Sequence, residues 1–296
     1  MYHTPIMLHE SVEALNIKPD GIYVDATFGG GGHSRAILER LGSGKLIAFD
    51  QDEDAAANVP ADERFIFVPN NFRYLKNFVR YYGFDHVDGI LADLGVSSFQ
   101  LDAPQRGFST RFEGLLDMRM DRSNSLDAAT VVNTYSIDEL TRILTQYGEL
   151  PQAKKFAEAV VNARPIQTTT ELRKAVERLL PKGKENKPLA QLFQALRIEV
   201  NQEIEALESF LQQSIEMLSE GSRLVVIAYH SLEDRMVKNY MRSGNASGIA
   251  EKDFFGNVTS PLRPITRKAL SPSDQELATN NRARSARMRV AEKVQQ

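Results

Sequence analysis

Short apolar runs alternate with longer amphipathic stretches through the first hundred residues of the chain. The runs are rich in β-branched and aromatic side chains, which favour strands. They cover residues 22–25, 45–50, 65–68 and 87–93. Apolar side chains then recur at helical spacing, as Ala36, Ile37, Leu38 and Leu41 do after the first run. Strands that alternate with helices form parallel sheets, so this pattern predicts an α/β fold.

The alternation stops after residue 93 and resumes with an apolar run at Arg223–Tyr229. The chain between them is longer than one crossover helix requires. Its amphipathic stretches predict helices, and the first begins with the capping box Ser136-Ile137-Asp138-Glu139. The predicted helices span Ser136–Tyr147, Pro151–Ala163, Thr169–Leu180 and Leu189–Leu218. We therefore predict an all-helical substrate-recognition domain at 108–210, inserted into a Rossmann-like domain formed by 1–107 and 211–296.

A run of four glycines, Gly29–Gly32, separates the first predicted strand from the first predicted helix. Glycine lets the backbone approach a ligand because it has no Cβ atom, and a helix start presents free N–H groups. The strand, the loop and a helix from Ser34 therefore predict a site for a nucleotide-like cofactor. Gly29 and Gly31 fit the dinucleotide pattern G-x-G-x-x-G, but Ser34 replaces its third glycine. A glycine-rich surface turn that Asp25 caps is the alternative.

Three of the predicted strands end on aspartates, Asp25, Asp50 and Asp93. Ligands of parallel sheets bind outside the carboxyl ends of the strands, so these side chains are expected to converge there. Asp25 would repel a pyrophosphate and attract the ammonium and sulfonium groups of S-adenosylmethionine. Asp50 can accept both ribose hydroxyls of an adenosine, or it can cap the next helix, as Asp52 or Asp54 also can. No histidine is spaced to join these acids as a ligand, so no metal site is predicted.

Composition and charge narrow the class of protein and its partners. The 296 residues include no cysteine, which excludes disulfides and thiolate metal sites. No apolar run approaches the roughly 18 residues of a membrane span, and the first residues lack a signal-peptide pattern, so a cytoplasmic location is expected. Residues 1–100 hold 8 basic and 14 acidic side chains, whereas 261–296 hold 8 basic and 3 acidic ones. The basic segment indicates either a polyanionic partner or a solvated tail.

Several blocks, in one order along almost the whole chain, carry a resemblance to a known family. They are His3-Thr4-Pro5 with Leu8, Asp25-Ala26-Thr27 with Gly31–Ser34, Asp93–Ser98, Gln100-Leu101-Asp102, Arg106–Ser109, Leu116–Asp121, Tyr147-Gly148-Glu149, His230–Arg235 and Arg282–Arg287. On these blocks the chain resembles the bacterial 16S rRNA cytosine-N4 methyltransferases, the ribosomal RNA small subunit methyltransferases H. It departs from their pattern at Gly30, where a more variable or charged residue is expected, and at Phe99, where proline is common.

The resemblance implies a class I S-adenosylmethionine-dependent methyltransferase fold with an inserted helical domain. It implies methylation of one cytidine in the decoding region, with S-adenosylmethionine as the cofactor. The implied partner is 16S rRNA or the small ribosomal subunit, and a homodimer is left open. The implied cofactor contacts are Gly31, Gly32, His33, Asp50, Phe72, Asp93 and Gln100. From its position alone, Phe72 is either a core aromatic or a ring against adenine.

The exocyclic amine of cytosine is a poor nucleophile because its lone pair is shared with the ring. An acceptor on its N–H would free that lone pair for in-line displacement at the methyl group, and positioning would supply most of the acceleration. Asp93 or Ser97, at the end of the fourth predicted strand, is the predicted catalytic acceptor. The alternative is that Asp93 only binds the cofactor.

The target cytosine must leave its stack to reach the methyl group, and basic side chains are expected to hold the RNA through its phosphates. The candidates are Arg106, Arg119, His230, Arg284 and Arg287. Directly after His230, Ser231 is the predicted N-cap of the next helix. Ala286, Met288 and Val290 alternate with arginines, which predicts a one-sided edge strand with a basic face. Arginines on an edge strand also protect it from aggregation.

Two other functions remain open on the sequence. A nicotinamide-dependent oxidoreductase would use the glycine loop and Asp50, but Asp25 and the missing third glycine disfavour it. A non-catalytic ribosome-assembly factor would bind RNA with a degenerate fold, but the intact loop and the acidic strand ends argue against degeneration. A thermal shift with S-adenosylmethionine, compared with NAD, separates the three functions.

Overall fold

The computed structural model describes residues 5–252, 254–256 and 258–295, and the chain divides into two units. The first unit joins the chain up to residue 95 with the chain from residue 204, and the second unit is 96–203. Both boundaries fall earlier than the sequence-based ones, which follow residues 107 and 210. The reason lies in the two cores: Val96 and Leu101 pack in the core of the second unit, whereas Leu207 packs in that of the first.

The first unit is built on a mixed sheet. Its described strands are β1 (Ile22–Asp25), β2 (Lys45–Phe49), β3 (Phe65–Val68), β4 (Val87–Asp93), β5 (Leu218–Ala228), β6 (Glu251–Lys252), β7 (Val258–Thr259), β8 (Leu262–Pro264) and β9 (Arg287–Lys293). Seven of them form one sheet in the order β3-β2-β1-β4-β5-β9-β8, and β6 pairs with β7. The strands from β3 to β5 are parallel, and β9 is antiparallel to both of its neighbours. The predicted class I, Rossmann-like α/β fold is confirmed.

Helices cover both faces of this sheet and make up most of the second unit. They are α1 (Leu8–Ala14), α2 (Gly32–Leu38), α3 (Leu75–Tyr81), α4 (Ser98–Asp102), α5 (Ala128–Thr134), α6 (Ile137–Gln146), α7 (Ala153–Asn162), α8 (Thr169–Val176), α9 (Asn186–Asn201), α10 (Glu203–Met217), α11 (Ser231–Ser243) and α12 (Asp274–Thr279). Short 3-10 helices cover Glu53–Asn58, Phe72–Tyr74, Pro104–Arg106, Glu177–Leu179 and Asn281–Ser285. None of the described helices has both the length and the apolar character that a membrane span requires.

Both faces of the central strands are buried, which explains their nearly continuous apolar sequences. Alternate side chains point to opposite faces of a strand. One face joins the core under α3, α10 and α11, and its strand residues include Val24, Ile47, Ile90 and Val226. The other face packs on α1 and α2, and its strand residues include Tyr23, Leu46, Leu91 and Val225. Because β1, β2 and β4 are parallel neighbours, the loops that follow them lie together at the carboxyl ends of the strands.

The predicted position of the last strand is wrong. Sequence alternation predicts a one-sided edge strand around Ala286–Val290, but β9 lies between β5 and β8. The true neighbour, β8, is three residues long and ends on a proline, so its sequence gives little sign of a strand. The basic face is also partly neutralised, because Arg289 donates two hydrogen bonds to Asp234, at 2.7 and 2.9 Å.

The second unit has helices as its regular elements and a core of its own. The predicted capping box is confirmed at the start of α6, where Ser136 and Glu139 bond to each other's backbone N–H groups. The buried side chains of the second unit include Val131 of α5, Leu144 of α6 and Leu196 of α9. The unit therefore forms its own apolar interior, as expected of an independent domain.

The predicted helix Leu189–Leu218 is wrong as a single element. The structure ends α9 at Asn201, places Gln202 in the left-handed region at φ 50°, and starts α10 at Glu203. The side chain of Asn201 accepts a hydrogen bond from the Met120 N–H at 2.7 Å and donates one to the Met118 carbonyl at 2.7 Å. These partners are about eighty residues away in sequence, so no local glycine or proline marks the break.

Candidate active site

The glycine loop connects the end of β1 to α2, which begins at Gly32, two residues before the predicted start. Gly29 and Gly31 adopt left-handed φ values of 51° and 74°, which side chains disfavour. Gly32 has a different requirement, because a Cβ atom there would collide with the ring of Pro5. The N-terminal segment thus lies against the loop, and the lack of a side chain at Gly32 is explained by this packing.

The Asp25 carboxylate accepts hydrogen bonds from residues on both sides of the glycine loop. It accepts one from the Ser34 hydroxyl at 2.6 Å and another from the Thr27 N–H at 3.1 Å. The side chain is only 1 % exposed, and this burial raises its pKa to about 6, although both hydrogen bonds oppose the rise. Asp25 is therefore a buried anchor of the loop rather than a cap on a surface turn.

Asp50 joins the same loop to the end of β2. Its carboxylate accepts hydrogen bonds from the N–H groups of Gly29 and Asp52, at 2.7 and 2.8 Å. Asp52 is the N-cap of the following 3-10 helix, where it accepts a bond from the Asp54 N–H at 3.2 Å. Capping is therefore not the role of Asp50. Burial raises the pKa of Asp50 to about 6 against the pull of its two backbone donors.

The two carboxylate oxygens of Asp93, the last residue of β4, have different surroundings. Its Oδ1 accepts a hydrogen bond from the Tyr229 hydroxyl at 2.6 Å, and its Oδ2 lies 3.9 Å from Nδ1 of His33. Its backbone N–H donates to the Thr27 hydroxyl at 2.7 Å, which fixes the strand end against the loop. Burial raises the pKa of Asp93 to about 6, while His33 and Tyr229 act to lower it.

The three aspartates come together as the sequence predicts. Asp25 is in register with Ala48 of β2 and with Leu91 of β4, and Asp50 and Asp93 each follow that partner by two residues. Their charges interact, because Asp25 raises the pKa of both Asp50 and Asp93. In the part of the chain that the structure describes, none of the three pairs with a lysine or an arginine. This acidic cluster of Asp25, Asp50 and Asp93 therefore carries negative charge that no lysine or arginine balances among the described residues, and such charge attracts a cation.

His33 lies inside this site rather than on its surface. Its side chain is 5 % exposed, and Nε2 is 3.2 Å from the carbonyl oxygen of Ile6 in the N-terminal segment. Burial lowers the pKa of His33, and the nearby Asp93 raises it. Nδ1 of His33 therefore faces the acidic cluster, and Nε2 faces the N-terminal segment that contains Ile6. Its predicted contact with the cofactor stays a prediction.

Phe72 lies in the short helix that follows β3. Its half-buried ring packs edge-to-face on Phe210 of α10, with the ring centroids 5.2 Å apart, and belongs to the edge of the core. Part of the Phe72 ring therefore packs in the core, as one of its two predicted roles requires. Its predicted contact with an adenine stays a prediction.

Ser97 and Gln100 belong to the second unit, where they form the capping box of α4. The Ser97 hydroxyl accepts from the Gln100 N–H at 3.2 Å, and the Gln100 side chain accepts from the Ser97 N–H at 3.0 Å. Sequence analysis did not find this pairing, although a serine followed three residues later by a glutamine is its usual pattern. Catalysis by Ser97 and cofactor binding by Gln100 stay predictions.

Arg106 and Arg119, both predicted to bind RNA, make hydrogen bonds within the second unit. Arg106 is 3 % exposed and donates a hydrogen bond to the Arg119 carbonyl at 2.9 Å. Arg119 makes a two-point ion pair with Asp117, with both distances 2.8 Å, and donates to the Asn124 carbonyl at 2.8 Å. Most of their donors are directed at protein oxygens, which sequence alone does not reveal. Their predicted contact with RNA stays a prediction.

The other three predicted RNA-binding residues line one cleft of about 460 Å³ in the first unit. Its lining residues are Ala228, Tyr229, His230, Ser231, Asp234, Arg284, Ser285 and Arg287. Arg284 and Arg287 are exposed, and the only hydrogen bond described for Arg287 is to the adjacent Ala286 carbonyl, at 2.7 Å. The cleft therefore presents guanidinium groups next to the end of β5.

His230, not the predicted Ser231, is the N-cap of α11. Its Nδ1 accepts from the Glu233 N–H at 3.4 Å, and Glu233 accepts in return from the Tyr229 and His230 N–H groups at 2.9 and 3.3 Å. Serine ranks above histidine as a cap, which explains the error. The glutamate three residues after His230 is the signal that favours His230. The hydrogen bond from Tyr229 to Asp93 has no sequence signal.

Comparison with known proteins shows the family to which this chain is similar. The family model described as the MraW methylase family matches residues 1–294. A protein from Flavobacterium johnsoniae is 55% identical over 297 residues, covering 99% of this chain and 98% of its own. One from Parabacteroides distasonis is 55% identical over 298 residues, with the same coverage, 99% and 98%. One from Flavobacterium psychrophilum is 56% identical over 291 residues, covering 97% of this chain and all of its own.

Each of these three relatives bears the name Ribosomal RNA small subunit methyltransferase H. The resemblance found from the sequence blocks is therefore confirmed along the whole chain rather than at isolated motifs. With this extent of match, the chain belongs to the MraW methylase family.

Proposed function

We propose that this protein transfers a methyl group from S-adenosylmethionine to the exocyclic N4 amine of one cytidine in the decoding region of 16S rRNA. The observation that carries the proposal is the convergence of Asp25, Asp50 and Asp93 beside the glycine loop, in a chain of a methylase family. The names of its relatives support small-subunit rRNA as the substrate. The choice of the N4 amine rests on the resemblance of the sequence blocks.

The residues of the acidic cluster fit S-adenosylmethionine. They are carboxylates without a lysine or arginine partner among the described residues, and burial raises their pKa. A cation bound beside them would stabilise their ionised forms. Asp50 is partly exposed and suits ribose hydroxyls, and Phe72 suits the adenine face. The bound cofactor would supply a methyl group on a positively charged sulfur.

The contribution of the protein itself is to orient the amine and to receive its proton. Oδ2 of Asp93 makes no hydrogen bond within the described residues, and the side chain remains 22 % exposed. An ionised Asp93 can accept the N–H and return electron density to the amine nitrogen. The proton that the amine releases would go to Asp93 and from there to solvent, while the bound cofactor would supply the methyl group and keep the C–S electron pair as its sulfur becomes neutral.

We propose that the RNA backbone binds in the cleft at the end of β5. Changing both Arg284 and Arg287 to Gln should weaken RNA binding and reduce its dependence on salt, because each lost phosphate contact removes released counterions. For single-stranded RNA we expect the slope of log affinity against log salt to fall by about 1.4 in magnitude. Filter binding or fluorescence anisotropy at several salt concentrations measures the slope.

A matched control is Arg80→Gln, which removes an exposed charge on α3 that does not line the cleft. This variant should keep the wild-type slope. An unchanged slope in the double variant would remove the cleft from the RNA interface.

Direct detection of the product tests the function as a whole. Purified protein, S-adenosylmethionine and small subunits from a strain that lacks the modification should yield N4-methylcytidine, identified by mass spectrometry of the rRNA nucleosides. Free 16S rRNA in a parallel reaction distinguishes naked RNA from the assembled subunit as substrate. Absence of methylated cytidine with both substrates would contradict the proposal. The ribosomal substrate supports the expected cytoplasmic location.

A further inference from the structure

The hydroxyl of Tyr229, directly after β5, donates a hydrogen bond to Asp93 at the end of the neighbouring strand β4. Asp93 ends β4 and is in register with Ile227 of β5, and Tyr229 follows β5 directly. The resulting hydrogen bond, 2.6 Å from the tyrosine oxygen to Oδ1, joins the two strand ends. Because the sheet fixes both backbones, this donor and this acceptor meet in one arrangement.

The ring of Tyr229 also contacts the turn after Asp93. Gly95 has a φ of 92°, and a Cβ atom there would lie 3.4 Å from Cδ2 of the ring. The ring therefore lies against the backbone that leads away from Asp93, while its hydroxyl holds the side chain. Both contacts restrict the same residue, and rotation of the Asp93 carboxylate would break the hydrogen bond.

We propose that Tyr229 is a positioning residue for methyl transfer, which holds Oδ1 of Asp93 so that Oδ2 faces the cytosine amine. This inference rests on the proposed function and on Asp93 as the acceptor of the amine proton. Tyr229 itself lines the cleft with Arg284 and Arg287. It thus connects the residues that would hold the RNA backbone with the residue that would act on the base.

The charged groups around Asp93 set the direction of the expected effect. His33 of α2 and the Tyr229 hydroxyl lower its pKa, whereas burial, Asp25 of β1 and Glu233 of α11 raise it. Removing the hydroxyl deletes a stabilising partner of the carboxylate, so the pKa of Asp93 should rise further above about 6. The form that accepts a proton would then appear only at higher pH.

The test is Tyr229→Phe, which keeps the ring and its contact with Gly95. At pH 6.5 we expect kcat to fall by about 10- to 100-fold, from the loss of a hydrogen bond to a charged group. The acidic limb of the kcat profile should move up by about one pH unit, so about threefold of the loss should be recovered at pH 8.5. The remaining loss reflects the misplaced carboxylate and should persist. The KM values for S-adenosylmethionine and RNA should remain within about twofold of wild type.

Tyr240→Phe is the matched control, since it removes a hydroxyl from a buried tyrosine of α11 outside the cleft. It should leave both kcat and the pH profile unchanged. A general structural defect in Tyr229→Phe would lower activity at every pH, so lack of recovery at pH 8.5 overturns the inference. An unshifted acidic limb, or an effect confined to KM, overturns it as well. If wild-type protein methylates no cytidine, the proposed function itself fails, which is a separate outcome.

Discussion

Asp93→Asn is expected to lower kcat for rRNA methylation by about 10²- to 10⁴-fold, the range of a lost acid–base group. The asparagine side chain has nearly the same shape, and its oxygen can still accept the Tyr229 hydroxyl that Oδ1 of Asp93 accepts at 2.6 Å. It has no basic oxygen to receive the amine proton. The variant therefore separates chemistry from packing better than an alanine would.

Two measurements distinguish catalysis from cofactor binding at Asp93. Calorimetry gives the Kd for S-adenosylmethionine, and single-turnover kinetics at saturating cofactor give the rate of methyl transfer. A large rate loss with an affinity within about tenfold of wild type supports the acceptor role. A loss of affinity with a normal rate at saturation would show that Asp93 only holds the cofactor.

The control for this variant is Asp62→Asn. Asp62 pairs with Arg64 at 2.6 Å, outside the acidic cluster, and its hydrogen bonds to Arg64 hold its pKa at about 2. It tests whether replacing any ionised aspartate of the first unit affects turnover. Both its rate and its affinity should match the wild type.

The parts of the fold that follow from local sequence could be predicted, and so could the position of the site. Apolar runs that end on Asp25, Asp50 and Asp93 specify parallel strands, and parallel strands share a carboxyl edge. The convergence of these side chains therefore needs no knowledge of distant contacts. In contrast, the break at Gln202 follows Asn201, which accepts a hydrogen bond from the Met120 N–H and donates one to the Met118 carbonyl, far away in sequence.

Tertiary structure also divides the predicted RNA-binding arginines into two pairs. Arg106 and Arg119 have the residue type that binds phosphate, but their partners are backbone carbonyls and a carboxylate within the unit. Arg284 and Arg287 have the same side chain and remain exposed at a cleft. Residue type alone does not separate the two pairs, because burial and the direction of the donors are set by tertiary structure.

The acidic cluster also predicts how stability should depend on pH. Folding raises the pKa of Asp25, Asp50 and Asp93 from the ordinary 3.8 to about 6. A carboxyl with a raised pKa binds its proton more tightly in the folded state, so its contribution to stability is fully present below about 3.8 and is lost as the pH rises through about 6. The free protein keeps three mutually repelling carboxylates together at neutral pH, and a cationic ligand relieves that repulsion.

S-adenosylmethionine should therefore bind more tightly, by about tenfold or more, at pH 7 than at pH 5. A carboxyl with a pKa of about 6 is about one tenth ionised at pH 5 and about nine tenths ionised at pH 7. Calorimetry in two buffers of different ionisation enthalpy should also show that binding at pH 6 releases protons, because the cation lowers the raised pKa values. S-adenosylhomocysteine, which lacks the sulfonium charge, is the matched control and should show a weaker pH dependence. An affinity that is constant from pH 5 to 7, or binding without proton release, would show that the cation does not lie among these carboxylates.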